Sequence, residues 1–324
     1  MSKIVFCLAL GALLFTLGFP ANAQQPKVHR IGVILPGGAL STTIDGLRQG
    51  LKDLGLQEGK QYTLTIKDTH GDIKAAAQAA KTLEQEKVGM IYALTIPAAA
   101  AAKESTAKIP IVFSVGSDPV AGGLVDSFAK PGGRLTGVHY LVKDLTAKRL
   151  ELLKEILPKL SRVIIFFDPG EPVSAESAEL AREEAKRLGL KVVEKRASSV
   201  DELRSGLETL KAGEADAYFY TPTTTVLSQS QLVIDTAKAK KLPTMFQDQS
   251  LVAKGALASY GQNYREIGRL SAKYVQRVLS GTLPRDLKIE TLDNVELAIN
   301  LQTAKQLGVT IPPQLLARAQ KVIK

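Results

Sequence analysis

From His29 onward the chain alternates short runs of β-type residues with stretches that repeat apolar positions at the helical period. Residues 31–35 form a continuous apolar run that stops at Pro36-Gly37-Gly38. Ile44, Leu47, Leu51 and Leu54 follow at helical spacing up to Gly55, which completes one strand–helix unit. Residues 62–67 alternate as a strand, Asp72 stands where it caps a helix reaching Leu83, residues 88–94 read as a buried strand, and Pro97 opens an alanine-rich helix. Residues 109–115 predict the next strand. Asp118-Pro119 has the N-cap and first-turn arrangement of a helix start, and Pro131-Gly132-Gly133 turns into a strand over 135–142.

The same rhythm then restarts. Helices are predicted over 145–157, 175–188, 226–240 and 264–279, with a further one running from Ser199 to Leu210, where Ser199 and Glu202 have capping-box spacing. Strands are predicted over 163–167, 191–195, 217–220, 243–246, 256–260 and 295–299, ahead of a terminal helical segment. Strands that alternate with helices imply parallel sheets covered by helices on both faces, so residues 29–142 and 144–250 predict two α/β lobes. No sequence repeat accompanies this duplication.

The first two dozen residues follow another pattern. Lys3 begins them, residues 4–19 are almost wholly apolar, Pro20 breaks the run, and Ala21-Asn22-Ala23 has the small-x-small form of a signal-peptidase site. A membrane span needs ~20 apolar residues, and this run is shorter. The expectation is a secretory signal peptide over 1–23, cleaved after Ala23, and a soluble protein exported to the periplasm. The single cysteine, Cys7, lies within that segment, so the mature chain is expected to carry no disulfide, thiolate nucleophile or thiolate metal site.

Composition narrows the function classes. The chain has 324 residues, 45% hydrophobic and 23% charged, which is ordinary globular composition and excludes extensive disorder, a collagen-like repeat and a disulfide scaffold. Its formal net charge of +10 is spread along the chain, as on a solvated basic surface. Export argues against nucleic acid, ATP and nicotinamide cofactors as partners.

Catalytic signatures are missing. The chain contains no G-x-S-x-G, no P-loop, no H-E-x-x-H and no G-x-G-x-x-G after a strand, and His29, His70 and His139 share no metal-ligand spacing. What remains are loops where strands end, which is where open α/β sheets bind ligands. They are small and hydroxylated: 37–41, 95–98, 114–118, 221–225 and 247–249. Such loops suit a small polar or anionic ligand, although Ser41 and Asp118 fit helix caps equally well.

Ile31-Gly32-Val33, Ile109-Pro110-Ile111-Val112-Phe113, Ser117-Asp118-Pro119-Val120, Gly123-Leu124-Val125, Pro131-Gly132-Gly133 and Thr136-Gly137-Val138 occur in order. Lys148-Arg149-Leu150-Glu151-Leu152-Leu153-Lys154, Ser259-Tyr260-Gly261 and the run from Ile299 to Gly308 with Ile311-Pro312 follow them. Taken together they resemble the ABC-transporter substrate-binding family that includes tryptophan- and tyrosine-type binding proteins, over residues 28–323.

The resemblance implies an α/β, type I periplasmic-binding fold: two doubly wound parallel-sheet lobes joined by three crossings and closing on a ligand. Its implied N-terminal lobe is 24–140 plus 257–284, and its C-terminal lobe is 141–256 plus 285–324. The crossings are expected near 138–143, 254–260 and 284–289, with the helix over 264–279 in the first lobe. Thr95 and Ala98, then Ser117 and Asp118, match the family's first-lobe cleft loops. Thr221, Thr223 and Thr224 fall in a second-lobe loop, where Thr replaces the Asp-Asn of amino-acid binders, and Asp248 falls at an often acidic position. For an amino-acid ligand, helix starts near Ser41 and Ala98 would hold the carboxylate and Asp248 the ammonium. Tyr92, Tyr140, Tyr220 and Tyr260 are the stacking candidates.

The implied function is ligand capture without chemistry or cofactor, by a monomer serving an ABC permease and its ATPase. A binding module that signals to a membrane receptor uses the same cleft and stays open as a reading, as does an exported enzyme.

Overall fold

In a computed structural model, residues 28–324 are described, so the expected signal peptide and cleavage after Ala23 lie outside the described residues. The first five strands are β1 (His29–Leu35), β2 (Tyr62–Asp68), β3 (Met90–Leu94), β4 (Ile111–Val115) and β5 (Leu135–Tyr140). They are followed by β6 (Arg162–Phe167), β7 (Lys191–Arg196), β8 (Ala217–Phe219), β9 (Thr244–Phe246) and β10 (Ala258–Gly261). The chain ends with β11 (Glu290–Leu292), β12 (Glu296–Asn300) and β13 (Lys321–Ile323).

Two sheets result. The first runs β2-β1-β3-β4-β5-β11 and is parallel throughout. The second runs β7-β6-β8-β9-β10-β12-β13 and repeats the same order, but β12 enters antiparallel to β10. The central strands β3, β4, β8 and β9 are buried over their whole length. That burial is why they read as continuous apolar runs and not as alternating ones.

The chain passes between the sheets three times. After β5 it leaves the first lobe near 141–142, as expected. The later changes fall further along than expected. β10 still belongs to the second sheet and β11 to the first, so the chain returns at 262–263 and crosses again at 293–295. Assigning 257–261 to the first lobe and 285–292 to the second therefore places these two strands in the wrong sheets.

Close helix packing fixes the return. Gly46 and Gly268 let the helix Ser41–Asp53 meet the helix Tyr264–Leu279 backbone to backbone: a Cβ on Gly46 would lie 1.9 Å from the Arg265 carbonyl oxygen, and one on Gly268 2.0 Å from that of Thr43. A buried chain of hydroxyls then ties the long helix to the sheet, from Tyr92 to Ser114 (2.6 Å) and from Ser114 to Ser271 (2.8 Å). Burial pushes the Tyr92 phenol up to about 12.

One side chain serves the crossings themselves. Arg149 is fully buried; its Nε donates to the Tyr260 carbonyl (3.0 Å) and its Nη2 to that of Val142 (3.4 Å), which links the first crossing to the strand that leads into the second. Burial lowers its guanidinium to about 10.

Local differences from the sequence expectation have simple causes. The helix expected over 226–240 is two helices, Thr224–Ser228 and Ser230–Ala239, broken at Gln229. Asp118-Pro119 opens a run of turns instead of a helix, with the Asp118 carboxylate accepting from Val120 N–H (2.8 Å). Pro172 begins its helix three residues before the expected start, because proline fits the first helical position.

Candidate ligand-binding cleft

A cavity of about 210 Å³ lies between the two sheets, at the C-terminal ends of their strands. Both sheets reverse their order beside strands that supply its loops, between β1 and β3 in one lobe and between β6 and β8 in the other. That is the place where an open α/β sheet leaves a crevice.

The first-lobe wall is built by the loops after β3 and β4. Thr95 caps the helix Ile96–Ser105, with its Oγ1 facing the Ala98 N–H at 3.5 Å. Its backbone sits at φ 87, ψ 155, a region essentially reserved for glycine. Such strain marks a residue held in place by its surroundings, and Thr95 lines the cavity with Ile96 and Pro97. In the first turn of that helix Pro97 has no N–H and the Ala98 and Ala99 N–H groups are bonded to Thr95, which leaves the Ile96 N–H without a helical partner at the wall. Gly116, Ser117 and Asp118 extend the wall.

The second-lobe wall is acidic and rich in acceptors. Glu171 follows β6 and accepts from the Thr224 N–H (2.9 Å) and the Thr224 hydroxyl (2.7 Å). Burial raises its carboxyl above the usual carboxylate range, and the two Thr224 hydrogen bonds oppose that shift. Thr223, Tyr220 and Gln247 complete this wall, and Tyr140 closes the cavity from the first crossing. Burial raises the Tyr140 and Tyr220 phenols, so both hydroxyls stay protonated. Toward the rim, Lys143 pairs with Glu176, which keeps that lysine charged. The rest of the lining is apolar: Val142, Val173, Pro222 and Leu227 among others.

The structure brings Thr95, Ser117, Asp118, Thr223 and Thr224 together on this cavity, along with Tyr140 and Tyr220. It places the other candidates elsewhere. Ser41 is exposed at the start of its helix. Ala98 is buried in the first-lobe core. Thr221 is buried and donates to the Phe166 carbonyl (2.8 Å). Tyr92 lies in the core, and Tyr260 packs against the second-lobe core with its carbonyl bound to Arg149.

Asp248 is buried as a cap, accepting from the N–H groups of Ser250 (2.8 Å) and Tyr264 (3.0 Å) and from the Ser250 hydroxyl. Its bonds are to Ser250 and Tyr264, and it lies outside the cavity lining. Glu171, a carboxylate that does line the cavity, escaped the sequence reading. Its signal was available as an acidic residue directly before a helix-opening proline, after the strand beside the order reversal.

Among the described residues no group of three or more His, Cys, Asp or Glu side chains is arranged to hold a metal ion. Also among them, no helix is long and apolar enough to cross a membrane.

The profile of the family described as ABC transporter substrate binding protein matches residues 29–323. The chain belongs to this family. Family members bind solutes. The chain is 30% identical over 289 residues to a tyrosine-binding protein of Clostridioides difficile, an alignment covering 89% of this chain and 83% of that protein. It is similar in structure to an ABC domain of Streptococcus pneumoniae in complex with L-Trp (TM-score 0.80, 25% identity, 92% of this chain and 100% of that one). A ligand-free, open substrate binding protein with adhesive properties from Clostridium difficile matches over the same shares of both chains, at 29% identity but a TM-score of 0.61. The tryptophan complex thus superposes better on this chain than the open protein does, although the open protein shares slightly more sequence.

Proposed function

We propose that this substrate-binding protein captures an α-amino acid with an apolar or aromatic side chain and delivers it to the permease of an ABC importer. The observation that carries this reading is the opposition across one cavity of a helix start and a half-buried carboxylate. The Ile96 N–H at the head of Ile96–Ser105, with the positive end of that helix dipole, and the Ser117 loop suit a ligand carboxylate. Glu171 suits its ammonium. Tyr140, Tyr220 and the apolar lining between them suit a hydrophobic side chain. The tryptophan complex and the tyrosine-binding relative support the same ligand class.

Ligand docks on one wall, and the lobes then swing about the three crossings to bury it. The apolar leader supports export, so the monomer acts in the periplasm, and ATP hydrolysis falls to a separate subunit of the importer.

The test is a thermal-shift and calorimetric survey of the purified protein against the L-amino acids, with recovered ligand checked by mass spectrometry. The expected result is a saturable, one-to-one stabilisation by L-tryptophan, L-tyrosine or another apolar amino acid, growing to about 2.7 kcal/mol at a hundredfold excess over Kd, with the ligand unchanged. No shift with any amino acid, or chemical conversion of one, rejects the reading.

A further inference from the structure

The short helix Thr224–Ser228 of the second lobe touches both the cleft and the opposite lobe. At its start, the Thr224 N–H and hydroxyl are held by Glu171. Its far end rests on two glycines of the first lobe, which come from different loops: Gly38 after β1 and Gly71 after β2. A Cβ on Gly38 would lie 1.9 Å from the Leu227 carbonyl oxygen, and one on Gly71 would lie 2.9 Å from Ser228 Oγ. Both have left-handed backbone, φ +62 and +84, yet that alone does not account for the missing space. Gly59 has φ +83 with nothing within 4 Å of its Cβ position. At Gly38 the obstacle is main chain, which cannot turn aside as a side-chain tip can.

These contacts join separate lobes, so they exist only when the cleft is shut. We propose that Thr224–Ser228 is the closing latch of the cleft, seated on the paired glycines 38 and 71 and held in place by the carboxylate that reaches the ligand. The proposal rests on the cleft being the ligand site. Glu171 is here a positioning residue for the latch, since it acts on closure through Thr224. Shape complementarity decides the fit, because the Ser228 hydroxyl turns back to donate to Thr225 O (2.8 Å) within its own helix.

The experiment measures lobe separation directly. With Cys7→Ser removing the only native cysteine, nitroxide labels are placed at Ile73→Cys and Gln231→Cys, exposed positions on either side of the contact. Electron–electron distance spectra are recorded without ligand and with saturating L-tryptophan or L-tyrosine. The parent protein is expected to show a short-distance population. Gly38→Ala and Gly71→Ala lose it and bind the amino acid at least about tenfold more weakly, whereas Gly59→Ala, with the same backbone strain in open space, keeps both.

Ser228→Leu adds bulk at the same contact from the second lobe without altering a left-handed position, and it gives the same loss if either glycine variant fails to fold. Loss of the short distance in these variants when neither amino acid binds supports the latch while counting against the amino-acid reading. Retention of the parental distances in Gly38→Ala, Gly71→Ala and Ser228→Leu, an equal loss in Gly59→Ala, or a parent that never shows the short distance overturns the latch.

Discussion

The two walls of the cleft come from sheets with the same strand order, yet they differ in chemistry. The first-lobe wall offers a strained threonine, Gly116, Ser117, Asp118 and the start of a ten-residue helix whose Ile96 N–H has no helical partner. The second-lobe wall offers a carboxylate whose proton affinity burial has raised, together with hydroxyl and amide side chains. One fold, used twice, thus yields two walls of different polarity. On the proposed reading, that difference would orient a zwitterion across the gap, which two like walls would not do.

The largest test of this contrast removes the charge from the acceptor wall. Glu171→Gln keeps the side-chain shape but removes the charge and one of the two acceptors that hold Thr224, and should weaken binding of L-tryptophan or L-tyrosine by about 2–5 kcal/mol, some thirtyfold or more. Calorimetric titration measures it, and unchanged affinity would mean that the walls do not divide the ligand as described.

Asp248→Ala should show the reverse pattern. Removing a buried cap that serves the Ser250 and Tyr264 N–H groups should cost about 2 kcal/mol of folding stability in denaturant titration and leave affinity nearly unchanged. An affinity loss without a stability loss would return Asp248 to the ligand.

A smaller effect follows from pH. The folded chain holds a proton on Glu171 more readily than the unfolded chain does, so this group adds stability below the ordinary carboxylate value and loses that contribution as pH rises through the raised one. A ligand ammonium needs the ionised form. Affinity should therefore fall by up to about tenfold per pH unit once pH drops below the raised value, and the dependence should vanish in Glu171→Gln. A flat affinity profile in the parent down to the ordinary carboxylate range would contradict the ammonium assignment.

Much of the architecture was legible because buried parallel strands and amphipathic helices leave different periodicities. β11 and β13 were not, since three-residue strands at sheet edges carry too few positions to show a pattern. The lobe boundaries came from the family resemblance, which put β10 in the first lobe and β11 in the second and so displaced two crossings. The cleft was half legible. Thr95, Ser117 and Thr223 face it, while Thr221 and Asp248 come from equally polar loops but turn to the backbone. Caps and ligand contacts draw on the same residue types, and only burial against the core separates them. Glu171 was hidden by a helix start placed three residues too late.

The three crossings have a further consequence, which is kinetic. Ser114 and Ser271 bond across 157 residues of chain, and Asp53 and Arg269 across 216. A chain cut after residue 280 would lack β11 from one sheet and β12 and β13 from the other. Contacts of such long range close slowly, and here they complete both lobes at nearly the same point of the chain. The expectation is one late, shared folding step paced by the C-terminal strands, in place of two lobes that mature one after the other.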